Sequence, residues 1–213
     1  MGMACSELHK MLTSLPRFGP NFEDDDLPAN GLYVLFQKGE TAHGADRIVR
    51  VGTHRGDDQL VSRLHQHFHS LNKDRSIFRK HIGRALLAHS NDPFLEQWNW
   101  DLTTRREQER LSNRLDDARQ REVEREVSEY LCNSFTFTVL IAETKDERME
   151  TEKVMLSTLA SCTQCRPSPK WLGLQHPNTT IQRMGLWNIQ GLKGSPLADG
   201  DVLTHLSPMV PDK

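Results

Sequence analysis

The sequence predicts an α+β fold: a small three-stranded antiparallel sheet flanked by helices, with an inserted charged helix and an ordered C-terminal tail. Two short apolar runs of strand length, at residues 32–36 and 47–51, are joined by a polar segment. A third run, at residues 135–141, alternates apolar residues with threonine and is the clearest strand pattern in the chain. Elsewhere apolar residues recur at helical spacing, so we expect helices to cover the sheet.

The 213 residues divide into three parts by composition. Residues 1–27 contain proline, glycine and an acidic run, which predicts an irregular N-terminal extension. Residues 28–160 hold the strands and their helices, with an inserted helical segment at 88–130. Residues 161–213 are rich in proline and glycine but carry two tryptophans, so we expect an ordered tail that packs on the domain.

The first two strands and the helices after them carry recognisable boundary residues. Gly39 and Gly44 lie between the two strands, which predicts a hairpin with a longer loop. Asp57 or Asp58 is expected to cap the next helix, and Asp74 to start the helix after it. The order of elements is therefore strand, strand, helix, helix.

The inserted segment at 88–130 is expected to contain a loop and a charged helix. Residues 88–104 resemble a loop in which tryptophans serve as packing anchors. Fifteen of the twenty-five residues at 105–129 are charged, and this pattern predicts a solvated helix on the core. A nucleic-acid role for the arginines of that helix is the weaker interpretation. After the third strand, Thr144 and Glu147 have the spacing of a capping box that opens another helix.

Composition is that of a globular protein, with 36% hydrophobic and 26% charged residues. The longest apolar run is far too short to cross a membrane. Residues 1–16 lack the basic start and apolar core of a signal peptide. We therefore expect a cytoplasmic protein without a membrane partner.

Charge is distributed unevenly along the chain. The formal net charge of -2 argues against an unselective, strongly basic DNA coat protein. Between residues 47 and 84, however, nine arginines and lysines occur with only three aspartates. This local surplus favours attraction of a polyanion, with Arg75, Arg79, Lys80 and Arg84 as the expected nucleic-acid-binding residues. A solvated helical face with scattered charges explains the composition equally well.

The four cysteines are Cys5, Cys132, Cys162 and Cys165. With no secretion signal, we expect reduced thiols. Cys162 and Cys165 have the spacing of a zinc knuckle, but a tetrahedral zinc ion needs two further ligands, and His176 is the only nearby candidate. The sequence therefore favours buried or loop thiols over a zinc site.

The most informative residues lie at the ends of the first two strands. Gly31-Leu32-Tyr33 opens the first strand, Arg50-Val51-Gly52 closes the second, and His54 follows shortly after. Arg63 and His67 are one helical turn apart on the next helix and therefore share a face. A phenol, a guanidinium and an imidazole at one sheet edge are suited to activating water and holding a phosphate.

These motifs resemble the core of the GIY-YIG nucleases. In this resemblance Tyr33 matches the tyrosine of the first motif and Gly52 the glycine of the second. Arg50 stands where the second tyrosine would be. The family's helix arginine matches Arg63, and the histidine or tyrosine four residues later matches His67.

The resemblance covers roughly residues 28–160, and further segments at 171–173 and 185–187 are similar to a bacterial branch of the family. The family's metal-binding glutamate is matched by Glu152, on the helix after the third strand. The resemblance thus implies one Mg²⁺ or Mn²⁺ ion at this carboxylate. No residue clearly matches the family's late asparagine, for which Asn178 is a provisional choice.

The resemblance implies an endonuclease that hydrolyses phosphodiester bonds, in DNA rather than RNA. Tyr33 would be the base for the attacking water, Arg63 the phosphate clamp, and His67 or His54 a proton relay. A phenol that acts as a base at neutral pH needs neighbouring cations, which Arg50 and Arg63 would supply. Two alternatives remain: a nucleic-acid-binding module without turnover, and an interaction protein that uses the charged helix and the tail tryptophans.

Overall fold

A three-stranded antiparallel sheet in the order β2-β1-β3 lies at the centre of the protein. The computed structural model describes residues 2–211. Strand β1 spans Gly31–Ala42, β2 spans Ala45–Thr53 and β3 spans Phe135–Ile141. Because β1 pairs with both other strands, it fixes the position of each. The predicted α+β class and the three-stranded sheet are confirmed.

Helices lie on both faces of this sheet. None of the helices within residues 2–211 combines the length and hydrophobicity needed to cross a bilayer. The α-helices are α1 (Gly2–Thr13), α2 (Leu60–Phe68), α3 (Ile77–His89), α4 (Leu95–Trp98), α5 (Arg105–Leu111), α6 (Asp117–Ser134), α7 (Lys145–Ser161), α8 (Thr179–Met184) and α9 (Val202–Leu206). Short 3-10 turns occur at Asp24–Asp26, Leu172–Gln175 and Ser207–Met209.

Alternation along β1 places its side chains in two separate cores. Tyr33 and Leu35 point into the first core, which α2, α3 and α6 cover together with Trp98, Trp171 and Trp187. Leu32 and Val34 point into the second core, which contains apolar residues of α1, α7 and α9. Since both faces of the sheet are buried, the strands read as nearly continuous apolar runs.

The β1–β2 hairpin has longer strands and a tighter turn than the sequence predicts. Ala42 pairs with Ala45, so that only His43 and Gly44 form the turn. Their φ values of 54° and 75° are typical of a type I′ turn, which matches the twist of the strands. Gly39, with φ of 83°, lies within β1 where the strand register is irregular. The glycines therefore mark a bulge and a turn instead of a long loop.

A buried ion pair joins the end of β1 to the start of β2, so that charged residues of both strands are accommodated in the interior. The Nε and Nη2 atoms of Arg47 donate to Glu40 Oε2 at 2.9 and 2.6 Å, and the Arg47 side chain is fully buried. Glu40 also accepts the backbone N–H of Ser168 in the tail at 3.0 Å. Trp171 and Trp187 are buried as well, at 1% and 0% exposure. These tail residues therefore pack on the sheet, whereas the division of the chain at residues 27 and 160 stays a prediction.

The N-terminal extension begins with a helix, so the expectation of an irregular segment over residues 1–27 is wrong for its first half. Helix α1 buries one stripe of side chains in the second core. This stripe comprises Ala4, Cys5, Leu8 and Leu12. The pattern has helical spacing, but it is short and made partly of small residues, which is why the sequence alone does not show it.

Two of the predicted helix starts are also wrong. Helix α2 begins at Leu60 without a side-chain cap, and Asp58 lies in a turn with φ of 56°. Helix α3 is capped by Ser76, whose hydroxyl accepts the Arg79 N–H at 3.2 Å. Asp74, expected at that position, instead forms ion pairs with lysines.

The inserted segment contains three helices where one was expected. A short helix, α4, lies within the predicted loop and carries the fully buried Trp98. The charged stretch breaks at residues 112–116, and Asp116 then caps α6 through a 2.9 Å bond from a backbone N–H. Thr144 accepts the Glu147 N–H at 3.2 Å, so the predicted start of α7 is confirmed.

A second buried ion pair joins α3 to α6. The guanidinium of Arg79 is fully buried, and its Nε and Nη2 atoms donate to Glu124 Oε2 at 3.1 and 2.8 Å. Its Nη1 atom donates to the His67 carbonyl at 3.1 Å. Lys80, 8% exposed, pairs with Asp74 at 3.0 Å. The expectation that Arg79 and Lys80 contact nucleic acid is therefore wrong, because their charges are used inside the protein.

Glu124→Gln should lower the free energy of unfolding by about 3–5 kcal/mol, because it leaves a buried guanidinium without its counter-charge. Glu122→Gln on the same helix is the matched control. Its carboxylate is 55% exposed in a surface pair with Arg119, so the loss should stay below about 1 kcal/mol. Urea unfolding followed by circular dichroism measures both. Equal losses would contradict a structural role for the buried pair.

Candidate active site

An open cleft lies at the sheet edge where β1 begins and β2 ends. It has a volume of about 910 Å³ and is lined from β1, β2, α2, α3, α7 and the tail. Five of the six predicted catalytic and metal-binding side chains line this cleft. They are Tyr33, Arg50, His54, Arg63 and Glu152. The sixth, His67, lies behind Tyr33 and contacts the Tyr33 hydroxyl directly.

The Tyr33 side chain depends on the glycine across the hairpin. Tyr33 on β1 is the antiparallel partner of Gly52 on β2. A Cβ atom at Gly52 would overlap the Tyr33 hydroxyl and ring, so only glycine leaves room for the phenol at this position. Gly31 has a similar role on the other side of the strand, because a Cβ there would overlap the carbonyl of Leu140 on β3. Both motif glycines therefore serve the placement of β1 and of its tyrosine.

His67 holds the Tyr33 hydroxyl from the first core. The imidazole Nε2 atom lies 2.7 Å from the phenol oxygen, and Nδ1 lies 2.7 Å from the Ser76 hydroxyl. Complete burial, together with the nearby Arg63 and other guanidinium groups, keeps the pKa of His67 well below its ordinary value. The ring is therefore neutral at pH 7 and carries a single N–H. When the Ser76 hydroxyl donates to Nδ1, the Nε2–H donates to the phenol oxygen, which is the arrangement that stabilises a phenolate.

His54 is bound to the backbone through both ring nitrogens. Nδ1 donates to the Gly56 carbonyl at 2.6 Å, and Nε2 accepts the Gly31 N–H at 3.2 Å. Burial lowers the pKa of His54, which agrees with a neutral ring. The expected relay role does not fit this geometry, because neither nitrogen retains a free lone pair or N–H. His54 instead holds the start of β1 in position.

Two arginines place positive charge in the cleft. Arg50 is 6% exposed, donates from Nη1 to the Trp187 carbonyl at 2.9 Å and lies 5.1 Å from the ring centroid of Phe78. Its Nε atom has no hydrogen-bond partner within residues 2–211. Arg63 is half-buried and donates from Nη1 to the Arg75 carbonyl at 2.9 Å. Within residues 2–211 the Nε and Nη2 atoms of Arg63 have no hydrogen-bond partner, and both guanidinium groups line the cleft.

Glu152, on α7, brings a carboxylate to the same cleft. No hydrogen bond or ion pair engages this carboxylate among the described residues 2–211. Burial raises the pKa of Glu152, and the positive charges of Arg50 and Arg63 oppose that rise. A half-buried carboxylate without a protein partner is unfavourable on its own. It is the kind of ligand that a hard divalent cation prefers, so the residues present fit the metal that the resemblance implies.

A family comparison agrees with this geometry. A family model described as a GIY-YIG domain matches residues 4–212. The chain belongs to the GIY-YIG domain family. Membership indicates a nuclease, and more specifically an endonuclease, as its type of activity. No curated protein and no solved structure matches the chain significantly.

The GIY-YIG cleft also contains an asparagine that the sequence analysis missed. Asn188 accepts the Val51 N–H at 3.2 Å and donates to the Val51 carbonyl at 2.8 Å, so it is fixed against the edge of β2. Asn178, the provisional choice, lies elsewhere and caps α8 by accepting the Thr180 N–H at 2.8 Å. The tail has no periodic pattern from which the position of Asn188 could be inferred.

His81 is a second residue of the GIY-YIG cleft that was missed. Its Nδ1 atom lies 3.0 Å from Nε2 of His176. Burial lowers the pKa of His81 to about 2 and that of His176 to about 4, so both rings are neutral at pH 7. A buried neutral pair of this kind supports the wall of the cleft. It also places His176 beside another histidine and not beside the cysteines.

The predicted nucleic-acid-binding set changes in this structure. Arg84 is half-buried and donates from Nε to Asn99 at 2.6 Å, and burial lowers its pKa. Of the four predicted residues, only Arg75 is exposed. Arg55, which was not predicted, is exposed and lines the cleft. Positive charge for a polyanion is therefore concentrated at the cleft instead of along α3.

Glu152→Gln should raise the free energy of unfolding at neutral pH in the presence of EDTA. The raised pKa means that the folded state holds the Glu152 proton more tightly than the unfolded chain does, so ionised Glu152 costs stability at neutral pH. Glutamine removes this cost. In the wild type the cost disappears as the pH falls below about 4, where glutamates are protonated even in the unfolded chain.

Urea unfolding between pH 4 and pH 8 measures this difference. If the Glu152 carboxylate is the ligand that the resemblance implies, saturating Mg²⁺ should stabilise the wild type and leave the glutamine variant unchanged. A stability difference that grows as the pH falls would contradict the assigned environment of Glu152.

Proposed function

We propose that this GIY-YIG protein is a divalent-metal-dependent endonuclease that hydrolyses phosphodiester bonds in DNA. The observation that carries the proposal is the convergence of Tyr33, Arg63 and Glu152 on one cleft from a strand and two helices. A surface that only binds nucleic acid gains nothing from a carboxylate near the phosphate, because the charges repel. A nuclease needs that carboxylate to hold a metal ion.

Glu152 would hold a single Mg²⁺ or Mn²⁺ ion. One protein carboxylate is enough, because Mg²⁺ retains several waters and takes substrate oxygens as further ligands. When bound, the ion would supply charge stabilisation to the phosphate and the leaving oxygen. Asn188, bonded to β2 through both of its amide atoms, is held rigidly in the same wall.

Tyr33 is the proposed base for the attacking water. Its oxygen is held at 2.7 Å by His67. The base would be the phenolate, whose proton has gone to solvent in the open cleft, and the neutral imidazole can donate Nε2–H to it. Arg50 and Arg63 add positive charge in the same cleft. His67 is therefore a positioning residue that also stabilises the charge on the base.

Arg63 is the proposed phosphate clamp. Only its Nη1 atom is bonded within residues 2–211, so that Nε and Nη2 are left for a phosphate oxygen. A guanidinium with two free donors on one side suits bidentate binding of a phosphate. Arg50, on β2, brings a second guanidinium to the same cleft. The arginine at the position of the second motif tyrosine thus contributes charge instead of acid–base chemistry.

The two competing functions make different demands on the structure. An interaction protein built around the tail would expose an apolar patch at Trp171 and Trp187, yet both are buried. A binding module without turnover would need the basic cleft but not Glu152. The presence of that carboxylate, without a partner among residues 2–211, favours the nuclease.

The test compares cleavage by the wild type, Glu152→Gln and Tyr33→Phe in Mg²⁺ and in Mn²⁺. Substrates are duplex, branched and single-stranded DNA, with RNA of the same sequences alongside. Each variant should lower the rate of DNA cleavage by at least about 100-fold, because each removes one part of the chemistry. Glu147→Gln is the matched control, since this exposed side chain of the same helix lies outside the cleft lining.

Binding of DNA duplex without metal separates chemistry from affinity. Glu152→Gln should bind as well as the wild type or more tightly, because a negative charge has left a phosphate-facing surface. Failure of the wild type to cut any substrate, combined with retained binding, would establish the binding module instead. Cleavage of RNA alone would overturn the choice of DNA.

A further inference from the structure

A cluster of cysteines and histidines lies at the second core, away from the nuclease cleft. Cys5 and His9 come from α1, His43 from the hairpin turn and Cys165 from the segment after α7. Their ligand atoms all lie within 4.8 Å of one another. All except His43, which is half-buried, are buried. None of these residues lines the cleft.

The separations within the cluster match those of a metal site. Cys165 Sγ lies 3.5 Å from His9 Nε2, and the ligand atoms of all four residues lie within 4.8 Å of one another. In tetrahedral zinc coordination, with Zn–S of about 2.3 Å and Zn–N of about 2.0–2.1 Å, neighbouring sulfur and nitrogen ligands lie about 3.5 Å apart. The Cys165–His9 separation is therefore that of two ligands of one ion.

The hydrogen bonding of His9 prepares one nitrogen for a metal. Its Nδ1 atom lies 2.8 Å from the Cys5 carbonyl oxygen, which can only accept. Nδ1 therefore carries the hydrogen, and Nε2 presents its lone pair beside the Cys165 sulfur. Histidine ligands of zinc are commonly oriented in this way, by a bond from the other ring nitrogen to a backbone carbonyl.

We propose that this cluster binds one structural Zn²⁺ ion through Cys5, His9, His43 and Cys165. Two thiolates and two imidazoles are a ligand set typical of structural zinc. Cys162, whose sulfur lies 3.5 Å from His43 Nε2, positions that imidazole from outside the ligand set.

The proposal reverses the expectation drawn from the sequence, which favoured free thiols because His176 was the only histidine near the cysteine pair. His176 lies with His81. The missing ligands come instead from residues 5, 9 and 43, which only the fold brings to Cys165.

The ion would join three segments that are distant in sequence. It would tie α1 to the hairpin and to the segment after α7, closing one loop of 34 residues from His9 to His43 and one of 122 from His43 to Cys165. Crosslinks that close long loops restrict the unfolded chain most, and zinc that binds only the folded state adds its binding energy to stability. The proposed role is therefore to fix α1 on the sheet.

The metal content of tag-free protein, purified without chelators from zinc-supplemented cells, tests the proposal. Mass spectrometry should find one zinc ion per chain in the wild type. Cys165→Ser and His9→Gln should lose it, whereas Cys132→Ser, which changes an exposed cysteine outside the cluster, should keep it. Thermal unfolding should show a lower Tm for the two ligand variants and an unchanged Tm for Cys132→Ser.

Cobalt replacement gives a measurement that does not depend on the variants folding. Wild-type protein loaded with Co²⁺ should show the intense visible bands of tetrahedral cobalt together with thiolate-to-cobalt charge transfer. Absence of both zinc and the cobalt spectrum in the wild type would overturn the proposal, leaving a buried hydrogen-bonded cluster of thiols and imidazoles. Iron in place of zinc would overturn the identity of the ion.

Two further variants define the ligand set and its independence from the nuclease site. Cys162→Ser should keep the zinc. If Cys162→Ser lost the zinc while His43→Gln kept it, His43 would not belong to the ligand set. Glu152→Gln should also keep the zinc, because it changes a different site. The zinc site therefore does not depend on the proposed nuclease function, and Glu152→Gln should keep the zinc even if the protein proved not to be a nuclease.

Discussion

The hydrogen bond between the Tyr33 hydroxyl and His67 connects the sheet to its helices and holds the proposed base at the same time. It joins the central strand to α2, and the Ser76 hydroxyl continues the connection to α3. His67 is fully buried, so breaking the bond would leave its Nε2 atom without a partner. Gly52 makes it possible, because any Cβ there would occupy the space of the phenol. The fold and the proposed chemistry therefore depend on the same contact.

Charge in the interior is used differently from charge in the cleft. Arg47 and Arg79 are fully buried and each has a carboxylate partner within 3 Å. They hold the hairpin, the tail and α6 in place. Glu152 is the opposite case, a half-buried carboxylate without a partner among the described residues and with arginines nearby. A protein that satisfies its buried charges elsewhere and leaves this one open has a site suited to a cation.

Local patterns predicted much of this arrangement. Strand β3 was evident from its alternation, and the motif order placed Tyr33, Arg63 and Glu152 on the correct elements. The predictions that failed concern residues whose roles depend on contacts with parts of the chain that are distant in sequence. From the sequence alone Arg79 is expected to be a surface cation, because no local pattern shows that Glu124 will form an ion pair with it. Asn188 and the cysteine–histidine cluster were missed for the same reason, since each acquires its role only through tertiary packing.

A crystal structure of the protein soaked in Mn²⁺ tests the central claim most directly. The anomalous signal locates the ion without assumptions about activity. We predict one Mn²⁺ ion bonded to a carboxylate oxygen of Glu152, in the cleft that Tyr33 and Arg63 also line. No ion at Glu152 in saturating Mn²⁺, or an ion in the cleft held by other residues, would contradict the account.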